Sequence, residues 1–116
     1  AFIKAHLAGQ PLQVSSRPIT RSFVHIADLV VQCLHVMANG DGEPYEVGSD
    51  DAITIEEAAK TISLLVEKTD VPFASNAAQD VYVPSLTRVR DQFNLSLDWT
   101  SRQAILATLN WYSTPK

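Results

Sequence analysis

The chain has 116 residues, the length of one domain or a piece of one. Hydrophobic residues make up 46% and charged residues 19%, a balance typical of a soluble globular protein, which excludes a disordered chain. The formal net charge of −4 argues against a broad, sequence-independent surface for nucleic acid or anionic lipid, so any bound anion must be held by a local site.

The apolar segments are short, and the sequence has one cysteine. No run approaches the ~18 to 20 apolar residues of a membrane span, and residues 1–20 lack the pattern of a signal peptide. Cys33 has no intramolecular disulfide partner and lies in an apolar helical run, so we predict a buried, inert thiol in a reducing compartment. The expected location is the cytoplasm.

The elements alternate between helical and strand periodicity, which predicts an α/β fold. Residues 1–8 are typical of the end of a helix, stopped by Gly9, with its apolar side chains inward (Phe2, Ile3 and Leu7). A short strand at 12–14 follows. Residues 15–20 are predicted to form a loop, and residues 21–24 to form the beginning of an extended stretch.

A helix is predicted over residues 27–37, with one apolar side (Leu29, Val30, Cys33, Leu34 and Met37). Asp28 lies in its first turn, where a carboxylate satisfies free backbone amides. Residues 45–49 predict a short strand. Thr54 and Glu57 have the spacing of a capping box, which begins a second helix with regularly spaced apolar positions (Ile55, Ala58, Ala59, Ile62, Leu65 and Val66).

The last third contains three further predicted elements. Residues 71–78 are irregular, and a strand at 81–83 is confined to a sheet edge by Pro84. Ser85 is expected to cap a short helix that runs to residue 93, with Asn94 as a left-handed stop. A final helix begins near Thr100 or Ser101, with four residues packing inward (Ala104, Ile105, Leu109 and Tyr112).

The residues that could perform catalysis are few. His6 and His25 stand alone, and Cys33 and His35 diverge on a helix, so no metal-ligand spacing is present. The sequence also lacks a nucleophile elbow, a P-loop and a dinucleotide-binding glycine motif. Arg21 lies at the end of a polar loop that also contains Arg17. Its guanidinium can bind a phosphate through two parallel, charge-assisted hydrogen bonds. A solvated or salt-bridged surface arginine is the alternative at that position.

Five motifs in order carry a resemblance to a known family. They are F-I-K-A-H-L-A-G-Q-P-L-Q-V (2–14), T-R-S-F-V-H-I-A-D-L-V (20–30), Y-E-V-G-S (45–49) with I-T-I-E-E-A-A (53–59), V-Y-V-P-S-L-T-R-V-R (81–90) and L-N-W-Y (109–112). The chain resembles the C-terminal third of the extended short-chain dehydrogenase/reductases, the NAD-dependent nucleotide-sugar epimerases and dehydratases. The R-S-F and Y-V-P-S stretches favour dehydratase-like members that act on dTDP- or CDP-sugars.

The resemblance implies a substrate-binding role for residues 1–116. Members bind NAD on an N-terminal Rossmann domain and the nucleotide sugar beside a smaller lobe, and their glycine-rich loop and catalytic Y-x-x-x-K motif are absent here. We therefore expect neither catalysis nor a cofactor on this chain alone. Arg21 matches the arginine that contacts the diphosphate. The other expected substrate contacts are Leu12, Gln13, Val14 and Ser15, which match a strand edge that touches the base, together with Arg17, Asp51 and Tyr82.

This sequence departs from the family pattern around the arginine. Ser15, Ser16 and Arg17 replace the usual G-D-G turn, and Ser22 and Glu46 stand where Asp and Asn are common. A second diphosphate-binding arginine is often found upstream of the Y-V-P segment, yet no Lys or Arg lies between Lys68 and Arg88. Either Arg17 substitutes for it, or a single arginine holds the diphosphate.

The resemblance also predicts a partner surface. The helix at 27–37 and the strand at 45–47 would belong to the Rossmann layer, and the strands at 12–14 and 81–83 to the small lobe. Without the N-terminal Rossmann domain, apolar faces should be uncovered and filled by that domain or by self-association. The alternatives are a stand-alone, non-catalytic binding or assembly module, and a UDP-sugar 4-epimerase, a sugar reductase or a decarboxylase of the same family.

Overall fold

The computed structural model describes residues 1–69 and 80–115. In this part of the chain, helices and short strands alternate: α1 (Phe2–Leu7), β1 (Leu12–Ser15), β2 (Ile19–Ser22), α2 (Ile26–Asn39), β3 (Ala52–Thr54), α3 (Ile55–Ile62), β4 (Val66–Thr69), β5 (Asp80–Val81), α4 (Thr87–Phe93) and α5 (Ser101–Ser113). The predicted irregular segment 71–78 lies outside the described residues.

The strands form two small sheets. In the first, β1 and β4 are parallel, with Leu12 opposite Val66. In the second, β2 is central, antiparallel to β3 on one side and parallel to β5 on the other. Arg21 is paired with Ile53 across β2 and β3, and β5 pairs with β2 from Ile19 onward. The second sheet thus fixes the backbone on both sides of Arg21.

The apolar core lies around α3, which is packed between β1 and α5. One cluster of buried side chains joins β1 to α3 (Leu12, Val14 and Ala59), and Phe2, Ile55 and Val66 are packed against it. A second cluster joins β3, α3 and α5 (Ile53, Ala58 and Ile105). Because α3 contributes to both clusters, it is the central element of this lobe.

Three of the predicted signals for helix ends are confirmed. Thr54 and Glu57 exchange side-chain and backbone hydrogen bonds in a full capping box. Gly9 has a φ of +71°, and the amides of Gly9 and Gln10 donate to carbonyls of the last turn of α1, those of His6 and Ala5. This is a Schellman ending. Asn94 is left-handed, with φ 52° and ψ 41°.

The predicted extension of the capping-box helix to Val66 is wrong. Helix α3 ends at Ile62, and β4 begins at Val66, where the chain pairs with β1. Ser63 marks the break, since its backbone is extended and its hydroxyl accepts a hydrogen bond from the amide of Leu65. A parallel partner more than fifty positions away in sequence outweighs local helical periodicity here.

The predicted strand at 45–49 is also wrong, because this segment has no regular secondary structure. The backbone of Gly48 forms its hydrogen bonds with a side chain instead of with a neighbouring strand. The Gln32 amide donates to the Gly48 carbonyl at 2.9 Å and accepts from the Gly48 amide at 2.7 Å. The Tyr45 ring packs under the Arg88 guanidinium, 3.9 Å from the ring centroid.

Helix α2 has the predicted position, and its apolar side is exposed, as the resemblance implied for this helix. Its buried residues are Asp28, 6% exposed, and Gln32, 4% exposed. The apolar side faces outward instead, and Ile26 and Met37 are 65% and 81% exposed. Cys33 is exposed as well, so the prediction of a buried thiol is wrong. The apolar stripe was identified correctly, but no described residue covers it.

Several smaller expectations also need correction. Leu7 and Tyr112 are about half exposed rather than inward. The helix at 87–93 begins after Leu86, without a side-chain cap from Ser85. The strand expected at 81–83 is the two-residue β5. Among the described residues, no helix has the length and apolarity needed to cross a membrane.

The described chain is flat. Its principal extents are 45 × 45 × 17 Å, and its Cα radius of gyration is 16.6 Å. A compact domain of this length has a radius of gyration of about 13 Å. The excess agrees with an α2 region that lies beside the core and adds little to it.

Candidate anion-binding site

Arg21 lies on the central strand of the three-stranded sheet, and its guanidinium reaches toward β5. Nη1 donates to the Thr20 carbonyl at 2.8 Å and to the Asp80 carbonyl at 3.3 Å. Nη2 donates to the Asp80 carboxylate at 3.0 Å. The side chains of Arg21 and Asp80 are 32% and 48% exposed, so the pair lies at the surface. The salt-bridged alternative for Arg21 is thus the arrangement seen here.

Each partner changes the proton affinity of the other. The hydrogen bond to Asp80 raises the pKa of Arg21, and burial opposes that effect. The same hydrogen bond lowers the pKa of Asp80, which the charge of Arg17 lowers further. Both groups therefore remain charged at neutral pH, and a second cation lies within electrostatic range of the carboxylate.

The predicted contacts on β1 divide into two kinds. Leu12 and Val14 are buried in the core, so only their backbone can meet a ligand. Gln13 is at the surface, and its amide donates to the Glu67 carboxylate at 2.7 Å. The Ser15 hydroxyl accepts from the backbone amide of Arg17 at 3.2 Å, which shapes the loop that carries this cation.

A cavity of about 180 Å³ opens where β1 ends. Its lining brings together the loop after β1, the start of α3 and the end of β4 (Ser15, Ser16, Arg17, Pro18, Ile19, Thr54, Ile55, Glu56 and Lys68). Lys68 was not a predicted site residue, because it enters this cavity only through the unpredicted strand β4. Its ammonium lies 3.2 Å from the Glu56 carboxylate, which also pairs with Lys60.

Asp51 and Tyr82 do not line this cavity. The Asp51 carboxylate accepts from the Ser101 amide at 2.7 Å, and the Ser101 hydroxyl donates to the Asp51 carbonyl at 2.6 Å. Asp51 therefore anchors the start of α5. Tyr82 has a 70% exposed side chain, and its amide donates to the Thr20 carbonyl beside Arg21.

A larger groove of about 720 Å³ lies elsewhere, between α1, β2, α3 and α5. Its walls are mainly apolar, with Phe2, Phe23, Ile55 and Ile105 among them. Volume alone would favour this groove as a ligand site. This groove and the cavity at the end of β1 share only Ile55 in their linings, so they are distinct sites. Among the described residues, no His, Cys, Asp and Glu side chains group closely enough to hold a metal ion.

Comparisons with known proteins identify the fold. No protein-family model matches the sequence, and no curated protein matches it either. The structure is similar to dTDP-glucose 4,6-dehydratase from Bacillus anthracis, solved in complex with NAD, with a TM-score of 0.78 and 19% identity. It is also similar to UDP-N-acetylglucosamine 4-epimerase and UDP-glucuronic acid 4-epimerase from Bacillus cereus, each with a TM-score of 0.72 and 15% identity.

These matches confirm the predicted fold class. The superposition covers 96% of this chain but 37% of the dehydratase, and 97% and 95% of it but 40% and 35% of the two epimerases. The chain thus has a mixed α/β fold that matches part of the fold of these enzymes. It spans less than half the length of the enzymes that it matches.

Proposed function

We propose that this chain is the nucleotide-sugar-binding part of an NAD-dependent epimerase or dehydratase. The observation that carries the proposal is the structural likeness over almost the whole chain to one dehydratase and two epimerases of nucleotide sugars. Family likeness and local chemistry agree, since Arg21 presents a guanidinium at a surface where a phosphate could reach it.

In this proposal Arg21 binds the diphosphate of the nucleotide sugar. Arg17 supplies a second positive charge, in place of the arginine that the sequence lacks further along. The cavity at the end of β1 receives the base against Ser15. The backbone of Leu12 and Val14, earlier on the same strand, is proposed to reach the ligand from outside this cavity. Gln13, Asp51 and Tyr82 are proposed to lie at the margin of the site, where they reach the ligand less directly than Arg21.

The motifs around Arg21 and Tyr82 favour a dTDP- or CDP-sugar 4,6-dehydratase over a UDP-sugar 4-epimerase or a decarboxylase. The NAD of such an enzyme would take a hydride from the sugar. Among the described residues, Gly40 and Gly42 follow a helix, whereas a phosphate-binding glycine loop precedes one, which favours a dinucleotide site outside this chain. The cofactor site therefore belongs to another part of the enzyme.

The apolar face of α2 is proposed to pack against that NAD-binding part. The face comprises Ile26, Val30, Leu34 and Met37, and the superposed dehydratase is more than twice as long as this chain. Burying an apolar side chain is favourable by about 1.5 to 3 kcal/mol, so covering this face would stabilise the assembly.

The binding proposal is tested by titrating the 116-residue chain with dTDP and with UDP in a calorimeter. Arg21→Ala should raise the dissociation constant at least about tenfold, because one charge-assisted hydrogen bond contributes about 1.5 to 3 kcal/mol. Arg102→Ala is the matched control, since Arg102 is an exposed arginine on α5 and its loss should leave binding unchanged. Equal constants for wild type and Arg21→Ala would remove Arg21 from the site.

A stand-alone binding or assembly module is the second candidate, and the exposed α2 face is the observation that favours it. The coding DNA upstream of residue 1 separates the two. A glycine-rich dinucleotide motif followed in frame by Y-x-x-x-K supports the enzyme. A start codon directly before residue 1 supports the module.

A further inference from the structure

Asp80 contacts Arg21 in a way that leaves one edge of the guanidinium open. An arginine has five N–H donors, and both Nη1 protons and one Nη2 proton are used by the carbonyls of Thr20 and Asp80 and by the Asp80 carboxylate. Both Nη atoms meet Asp80, so this residue lies at the tip of the group. Nε–H and the outer Nη2–H remain, with no acceptor among residues 1–69 and 80–115.

These two remaining donors lie side by side along one edge of the planar group. Their spacing matches two oxygens of a phosphate, the geometry in which arginine binds phosphate with two parallel hydrogen bonds. The contacts to Thr20 and Asp80 do not compete for that edge. The ion pair and an anionic ligand can therefore be held by Arg21 at the same time.

Asp80 is itself held by the sheet. It begins β5, opposite Ile19, and the next strand position pairs Val81 with Thr20. On the far side of Val81, the Tyr82 amide donates to the Thr20 carbonyl at 3.0 Å. The carboxylate therefore projects from a fixed backbone and orients Arg21 before any ligand arrives. A free arginine would have to give up its rotamer freedom on binding.

The local charge permits an anion in spite of the carboxylate. Two cations, Arg17 and Arg21, lie close enough to Asp80 to act on its carboxylate. We infer that Asp80 is a positioning residue, which holds the Arg21 guanidinium so that its Nε and Nη2 edge receives a phosphate of the nucleotide. This inference rests on the proposed function.

The test is a double-mutant cycle on the 116-residue chain, with binding of dTDP and UDP measured by calorimetry. Asp80→Asn and Asp80→Ala should each weaken binding by about twofold to tenfold, the range expected when one side chain must be ordered on binding. Asp80→Glu should recover part of the loss. In an Arg21→Ala background, Asp80→Ala should have no further effect, whereas a general structural role would persist there.

The outcomes separate the two proposals. If Arg21→Ala loses binding while Asp80→Asn binds as well as or better than wild type, Asp80 is a bystander or a competitor, and only the positioning role falls. If Asp80→Ala weakens binding equally with and without Arg21, that role falls too. If wild type binds neither nucleotide, or Arg21→Ala binds as wild type does, the proposed function fails together with the inference.

Discussion

The lobe around α3 and the region around α2 obey opposite burial patterns. In the lobe, apolar side chains such as Leu12 and Ile53 are buried against neighbouring elements. In α2, the buried side chains are polar, and the apolar side is open. The lobe therefore contains its own hydrophobic core, whereas the apolar side of α2 is left uncovered by the described residues.

Specific polar contacts hold α2 against the rest of the chain. The two oxygens of Asp28 accept hydrogen bonds from the amides of Asp98 and Trp99, each at 3.1 Å. The His25 ring stacks on the Trp99 ring, with centroids 3.9 Å apart. The side-chain amide of Gln32 both donates to the Gly48 carbonyl and accepts from the Gly48 amide. Directional bonds fix the helix in place without covering its apolar side.

The largest contrast should come from the same substitution in the two regions. Leu12→Ala should lower the free energy of unfolding by about 3 to 4 kcal/mol, because it leaves a cavity in the core. Leu34→Ala, on the open side of α2, should change it by less than about 0.5 kcal/mol. Urea denaturation followed by circular dichroism measures both. Equal losses would mean that α2 is covered in solution.

A somewhat smaller effect is expected from removing the carboxylate that holds α2. Asp28→Ala should cost about 2 to 3 kcal/mol of unfolding free energy, because two backbone amides lose a charged acceptor. Asp91→Ala is the control, since Asp91 is exposed on α4. Its cost should stay below about 0.5 kcal/mol, as for other surface positions. Matching values for the two variants would show that the Asp28 contacts are not formed.

Cys33 reports on the open face without altering it. The exposed thiol should react with a thiol reagent nearly as fast in the folded chain as in urea. A buried thiol would react only after unfolding, more than about a thousandfold more slowly for a stability of 5 kcal/mol. Cys33→Ser provides the blank. Labelling that slows as protein concentration rises would show that a second copy covers the face.

Sequence reasoning succeeded where signals are local. The capping box at Thr54 and the left-handed stop at Asn94 each depend on residues within a few positions, so the pattern predicted them directly. Burial of Cys33 was inferred from an apolar stripe, and a stripe identifies a face without identifying what covers it. Periodicity therefore predicted the apolar face of α2, whereas its exposure was expected only from the resemblance to a family.

The parts of the candidate site that were missed depend on distant pairing. Lys68 joins the cavity because β4 pairs with β1, and Asp80 meets Arg21 because β5 pairs with β2. Neither pairing has a local signature in the sequence, since each joins segments more than fifty positions apart. Arg21 was identified from its place at the end of a polar loop, and the resemblance to a family gave it the diphosphate role, which stays a prediction.

The central claim is that the Arg21 guanidinium binds the phosphates of a nucleotide, and nuclear magnetic resonance tests it at the atom concerned. The chain has five arginines, and their Nε–H signals in a ¹⁵N-labelled sample can be assigned with Arg21→Lys. During a dTDP titration, the Arg21 Nε–H signal should move and saturate with the calorimetric dissociation constant, while that of Arg102 stays in place. A saturated complex in which the Arg21 signal has not moved would contradict the account.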